Sequence, residues 1–284
     1  MSAYRLGNRR EGMVRNFAYA TSWQLLALLL IATFPASQAR AFMPDDVYTS
    51  VCVVTGQGPE NRAKGFADCL DKVLPRVSGN SRLADSPLMR TAREHAADYI
   101  ENFTYRDRLA GRPIHDEQGT HDRPFDLICR FRKERLDDLL ERLGTRPWLA
   151  KRPVLEILLT VRRGDLSYQV TAGRGRDLAM REAFTAASDL TGIDVVFPSE
   201  GRLQADSTAG AIPLSGDLEW NESALGWVAT WTLSDQQNGI EPHDVTWQVR
   251  GVSFDDAFRA ALQGAAQILS RNGEPAGAFA PVKQ

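Results

Sequence analysis

The chain has 284 residues, 43% hydrophobic and 25% charged, a composition that supports one or two globular domains. Its formal net charge is −2 and its 34 basic side chains are scattered, so there is no basic stripe to hold a nucleic acid. Nucleophile and phosphate-loop signatures are missing too: no G-x-S-x-G, S-x-x-K or G-x-x-x-x-G-K-[ST] occurs.

The first segment differs from the rest. Arg5, Arg9, Arg10 and Arg15 precede the apolar run Trp23 to Phe34, which is followed by Pro35 and small residues ending Ala39-Arg40-Ala41. A basic region, a short apolar core and an A-x-A ending predict a cleavable secretory signal peptide over 1–41. The run has 12 residues, against the roughly 20 that a bilayer-spanning helix needs. Met13 serves as well as Met1 for the start, and no cysteine follows the cleavage site to carry a lipid anchor. Removing five arginines and one glutamate with the leader takes the net charge from −2 to −6. That charge suits a soluble periplasmic protein and argues against stable membrane attachment.

The β-branched run Val47 to Thr55 predicts a strand, and "GQGPEN" a turn in which Pro59 opens a helix. Ala63, Phe66, Ala67, Leu70, Val73, Leu74 and Val77 recur at helical spacing through 60–77. A second helix is expected from Pro87 to Phe103, then a polar loop over 104–124 punctuated by Gly111, Pro113, Gly119 and Pro124. "FDLICRF" reads as a strand, "KERLDDLLERLG" as a helix closed by Gly144, and "TRPWLAKRP" as an extended join. Beyond it, Val154 to Val161 is apolar enough to be buried on both faces, and Arg176 to Leu190 reads as a helix. "GIDVVFP" follows as a short strand, then a stretch rich in Gly, Ser and Ala. "GWVATWTL" and "VTWQVRG" alternate as strands around a polar hairpin loop, and Ser253 to Leu269 forms a closing helix. The expected fold class is α/β (α+β), with helices packed on the faces of two small mixed sheets. The expected domains are 42–146 and 147–272, with a disordered tail at 273–284.

Several clusters carry possible chemistry. "HDEQGTHDRP" holds His115, Asp116, His121 and Asp122, a low-ranked metal or acid/base set. Its histidines are six apart in a loop rather than four apart on a helix, so a solvated loop is preferred, with Asp122, Arg123 and Asp126 pairing locally. The G-x-G runs at 56–58 and 173–175 lack the third glycine and the ribose-binding acid of a dinucleotide site, and they read as tight turns. Cys52, Cys69 and Cys129 read as buried thiols, with a single disulfide as the alternative. His95 is expected as a partly exposed helix residue and His243 in a hairpin loop. Trp220, Trp227, Trp231 and Trp247 are expected mainly as core beneath the last helix, with Trp220 the most exposed.

The segments "VTGQGPENRAKGFADCLDKVLPRVSGN", "LGTRPWLAKRP" and "GWVATWTL…VTWQVRGVSFDDAFRAALQGAAQIL" carry a family resemblance. In Arg62, Arg76 to Gly79, Leu143, Gly144, Trp148, Arg152 and Pro153 the chain resembles a proteobacterial exported family, domain-of-unknown-function family 2066. The resemblance implies an exported, non-catalytic component and supplies no catalytic residue. The expected function is therefore a non-catalytic binding or adaptor protein of the cell envelope. Its partner would be an envelope protein or peptidoglycan, contacted through Trp220, Arg123 and Trp148, with no cofactor and no nucleic acid. The alternatives are a metal-dependent periplasmic hydrolase using the 115–122 loop, or glycan binding through the Trp-rich sheet.

Overall fold

The computed structural model describes residues 47–111, 123–201, 210–235 and 243–279. The leader, the 112–122 loop with its four metal-ligand candidates, and residues 280–284 lie outside the described residues. The fold is α+β, and the described residues form one compact unit with two separate hydrophobic cores.

In the N-terminal lobe, strand β1 (Thr49–Thr55) turns at Gly56, which takes φ 78°, into helix α1 (Pro59–Ser78) with Pro59 at its start. Phe66, Cys69, Leu70, Val73, Leu74 and Val77 make the buried stripe of α1. Gly65 lets the helix approach the sheet closely, since a Cβ there would lie 2.6 Å from Val54 Cγ1. Helix α2 (Pro87–Glu94) is capped by Ser86, whose hydroxyl accepts from Leu88 N, and it ends earlier than the sequence pattern suggested. After a single 3₁₀ turn, residues predicted as helix and loop form strand β2 (Ile100–Asp107). Strand β3 (Pro124–Phe131) and helix α3 (Lys133–Arg142) complete the lobe. The sheet order is β1-β3-β2 and both pairings are antiparallel, so this sheet is not mixed as expected.

The C-terminal lobe is built on β4 (Val154–Arg163), β5 (Leu166–Gln169), helix α4 (Leu178–Thr191) and β6 (Val195–Val196). Strands β7 (Ala211–Asn221), β8 (Gly226–Asp235) and β9 (His243–Val252), helix α5 (Phe254–Ser270) and β10 (Ala278–Phe279) follow. The path is β10-β9-β8-β7-β4-β5, with β6 also on β4; β4 runs parallel to β7 and β6, and the other pairings are antiparallel. Strand β7 occupies the stretch that composition marked as Gly/Ser/Ala-rich. Strand β10 pairs Ala278 with Trp247 inside the segment expected to be a disordered tail.

Helices α4 and α5 cover one face of this sheet with an aromatic core. Phe184 stacks on Phe258 at 4.1 Å, and Trp231 meets Phe184 edge-on at 5.9 Å. Trp247 is buried and donates its indole N–H to Ala260 O of α5 at 3.1 Å. Gly216 and Gly264 are the spaces these two indoles occupy.

The join brings the lobes together. Trp148 is buried and donates its backbone N–H to Val77 O at 2.8 Å. The Arg152 guanidinium lies over the Trp148 ring at 4.5 Å and donates to Arg76 O in one lobe and Thr191 O in the other. Burial, then the charge of Arg76, lowers the Arg152 pKa to about 10. Gly79, left-handed at φ 76°, closes α1 against Ser270 and Ala266 O of α5, where any Cβ would collide.

Candidate interaction surface

Strand alternation gives the three-stranded sheet two unlike faces. Ser50, Cys52, Val54, Leu127 and Cys129 point to the helices and are buried. The opposite face is a grid whose rows the register defines: Thr49, Arg130 and Asn102; Val51, Ile128 and Thr104; Val53, Asp126 and Arg106. Val51 is 42% exposed and Val53 50%, an unusual placement for β-branched residues in a regular strand.

Charge surrounds this apolar centre. Arg106 donates to Asp126 at 2.7 Å and Arg108 lies 3.5 Å from the same carboxylate. The Asp126 side chain is 12% exposed, whereas Arg106 is 70% and Arg108 50% exposed, so the face presents cations outward over a covered anion. Arg130, exposed at the other end, leads into a cleft of about 650 Å³. Glu101, Arg132, Lys133, Glu134, Tyr48 and Leu149 also line it. On the cleft floor Tyr48 donates its hydroxyl to Asp137 Oδ1 at 2.7 Å. Burial, then the hydrogen bond and charge of Asp137, push the Tyr48 pKa above its ordinary value. Burial also raises the Asp137 pKa, and the Tyr48 bond opposes that rise.

The free edge of β1 is closed by side chains. Arg76, Lys72 and Asn61 donate to the carbonyls of Thr49, Val51 and Thr55. These bonds occupy acceptors that an added strand would need, so the flat face rather than this edge is what β1 offers a partner.

Among the described residues, Arg123, Trp148 and Trp220 do not converge. Arg123 binds Asp107 at 3.1 Å and donates to Leu109 O, while Asp126 pairs with Arg106 and Arg108, so the expected Arg123–Asp126 network is replaced by a cross-strand one. Trp148 is wedged between the lobes and 7% exposed, which gives it a structural position. Trp220 is half-buried: it donates to Glu222 at 2.8 Å, packs edge-on against Trp227 at 5.5 Å and lies beneath Arg163. Trp231 and Trp247 are sealed in the core and have no ring face to offer a sugar. His95 caps α2 at the surface and His243 opens β9. All three cysteines are buried free thiols. Sequence reading missed the valine face, although its signal was present: in "TSVCVVT" Thr49, Val51, Val53 and Thr55 are all β-branched while Cys52 and Val54 of the other set are apolar, and one set has to face away from the helices.

A family model described as a domain of unknown function (DUF8605) matches residues 41–149. Those limits take in the whole N-terminal lobe and the junction tryptophan, so the candidate surface lies within a domain of unknown function. The matching family is not the one that the sequence motifs resemble, and the match stops short of the C-terminal lobe. No curated protein and no solved structure matches the chain.

Proposed function

We propose that this protein is an exported component of the cell envelope that binds a partner without catalysis, and that the open face of the N-terminal sheet is its binding surface. The leader pattern of basic residues, a short apolar core and Ala39-Arg40-Ala41 supports export, as does the motif resemblance to proteobacterial exported family 2066. The observation that carries the binding role is the pair of outward valines, Val51 and Val53, within a rim of Arg106, Arg108 and Arg130. An apolar centre within a charged rim is the anatomy of a protein–protein interface. The cations select a partner with an acidic rim, and the valines a small apolar patch at its centre. A protein surface fits this description better than peptidoglycan, because Trp231 and Trp247 are core residues and Trp220 and Trp227 pack edge-on against each other.

A photo-crosslinking amino acid placed at Val51 or Val53, and at Thr230 on the other lobe as control, tests the surface in living cells. A discrete adduct is expected from the first two positions and not from Thr230. Equal adducts from all three positions, or none from Val51 and Val53, would overturn the reading. Fractionation of the tagged chain tests export separately, with the shortened chain expected in the periplasm.

A further inference from the structure

Cys52, Cys69 and Cys129 are the chain's only cysteines, and the fold brings them to one point beneath the valine face. In the β1–β3 ladder Cys52 stands opposite Leu127 and Cys129 opposite Ser50, so both project toward α1 from neighbouring rows. Cys69, midway along α1, sits over this pair of rows. Its Sγ lies 3.9 Å from Ser50 O and 3.7 Å from Leu127 O, the carbonyls of the two residues that face the other cysteines. The thiols of Cys52 and Cys129 both neighbour it, and Ser50 Oγ holds the helix in place by donating to Cys69 O at 2.9 Å.

Cys52 and Cys129 are diagonal neighbours across two strands, a relation that places side chains about 7–8 Å apart. A disulfide needs Cβ atoms roughly 3.5–4.5 Å apart, so a direct bond between these two is disfavoured. Cys69 is the hub. We propose that Cys69 forms a disulfide with Cys52 in the exported protein and leaves Cys129 reduced. This inference rests on the export reading above, since an oxidising compartment is what makes such a bond persist. Cys52 and Cys69 are 17 positions apart within one strand–turn–helix unit, against 60 between Cys69 and Cys129. The shorter loop closes at lower entropic cost and earlier in folding.

In the completed fold all three sulfurs are buried, and the Cys69 thiol, its pKa pushed up to about 12 chiefly by the Cys129 hydrogen bond, is seldom a thiolate. Oxidation therefore precedes the docking of β3. A protein disulfide of the export compartment is attacked by the Cys69 thiolate to give a mixed disulfide. Cys52 then displaces the oxidant, so that one Sγ–Sγ bond forms, the oxidant's S–S bond breaks, and two electrons and the two thiol protons leave on it as its dithiol. The bond fastens β1 to α1 directly behind Val51 and Val53 and stiffens the proposed binding face.

The test is disulfide mapping of the full-length chain recovered from the periplasm, denatured and alkylated without reduction. A linked peptide pair containing Cys52 and Cys69, with alkylated Cys129, is the expected result. Cys129→Ser should keep the link, and Cys69→Ser should leave two alkylatable thiols. A Cys69–Cys129 link, or three alkylatable thiols in periplasmic protein, overturns the inference and leaves export standing. If the chain is found only in the cytoplasm, the export reading fails instead. Refolding of the reduced chain in a glutathione redox buffer then decides the thiol chemistry alone, and absence of the Cys52–Cys69 link there overturns it.

Discussion

The two sheets treat their helix-free faces in opposite ways. On the C-terminal sheet the face away from α4 and α5 is largely a polar lattice. Thr232 pairs with Thr246 at 3.2 Å, Gln248 donates to Thr230 at 3.0 Å, and Arg162 bridges to Asp217 at 2.7 Å. Its apolar members include Leu158 and Val228, which are half-buried, and Phe279 at the β10 edge opposite Thr246, which is 44% exposed. The N-terminal sheet instead puts two valines into water within a ring of arginines. The lattice satisfies itself across strands, whereas the valine face has apolar area that only another surface removes from solvent. That difference separates a lobe whose outer face is largely satisfied within itself from one that leaves apolar surface over.

The largest effect should come from the aromatic core. Trp231→Ala removes an indole packed against Phe184 and Phe258, and is expected to cost about 3–5 kcal/mol, read as a lower urea midpoint. Gly216→Val should be comparably damaging, because its Cβ falls on the Trp231 ring. If the division holds, neither variant alters crosslinking at Val53 under conditions where the chain stays folded.

Next is the junction. Arg152→Lys keeps the charge but loses the planar fork that joins Arg76 O to Thr191 O and lies on Trp148. A loss of about 1.5–3 kcal/mol is expected, the range for hydrogen bonds made by a charged group. A single urea transition that splits into two would show that this residue makes the lobes unfold together.

How far these features were legible in the sequence depends on whether local pattern or distant contact set them. Helices α1, α3, α4 and α5 announce themselves through 3.6-residue spacing, and β3, β8 and β9 through alternation. In the segment 100–107, Ile100 and Phe103 continue the helical spacing of Ala92, Ala96 and Tyr99 while 104–107 reads as loop, and what makes it a strand is pairing with β3. Strand β7 was hidden by two residues that weaken strands. Pro213 lies one position before the β8 ladder begins at Leu214, and Gly216 is demanded by the Trp231 ring across the sheet. The candidate surface was hidden for a related reason: a strand run shows that both faces are apolar, but not which of them the helices leave uncovered.

A smaller effect tests the cleft beside the valine face. Tyr48→Phe removes the hydrogen bond to Asp137 and should cost about 1–3 kcal/mol. Asp137 already titrates above its unfolded value because of burial, so its contribution is fully present below the ordinary aspartate range, near pH 4, and is lost as pH rises through the folded pKa. Tyr48 opposes that rise by stabilising the carboxylate. The variant's Asp137 pKa should therefore move further up, and its stability should fall more steeply with pH above 4 than the wild type's, as read by carboxyl NMR titration and urea midpoints at several pH values.

The smallest effect on stability should be the most informative about function. Val53→Thr keeps a β-branched side chain of similar shape on a position that is half in water. Its unfolding free energy should change by no more than about 0.5 kcal/mol, as for surface substitutions away from special features. The hydroxyl nevertheless destroys the apolar centre of the face, where a partner would have to desolvate it without a matching hydrogen bond. Crosslinking from Val51 in this background should drop several-fold, while Thr230→Val on the polar lattice should leave it unchanged. If both substitutions act alike, the two faces are not functionally different and the valines are ordinary surface. If only the first acts, binding depends on two methyl-bearing side chains that contribute almost nothing to the fold, which is the expected mark of residues retained for a partner.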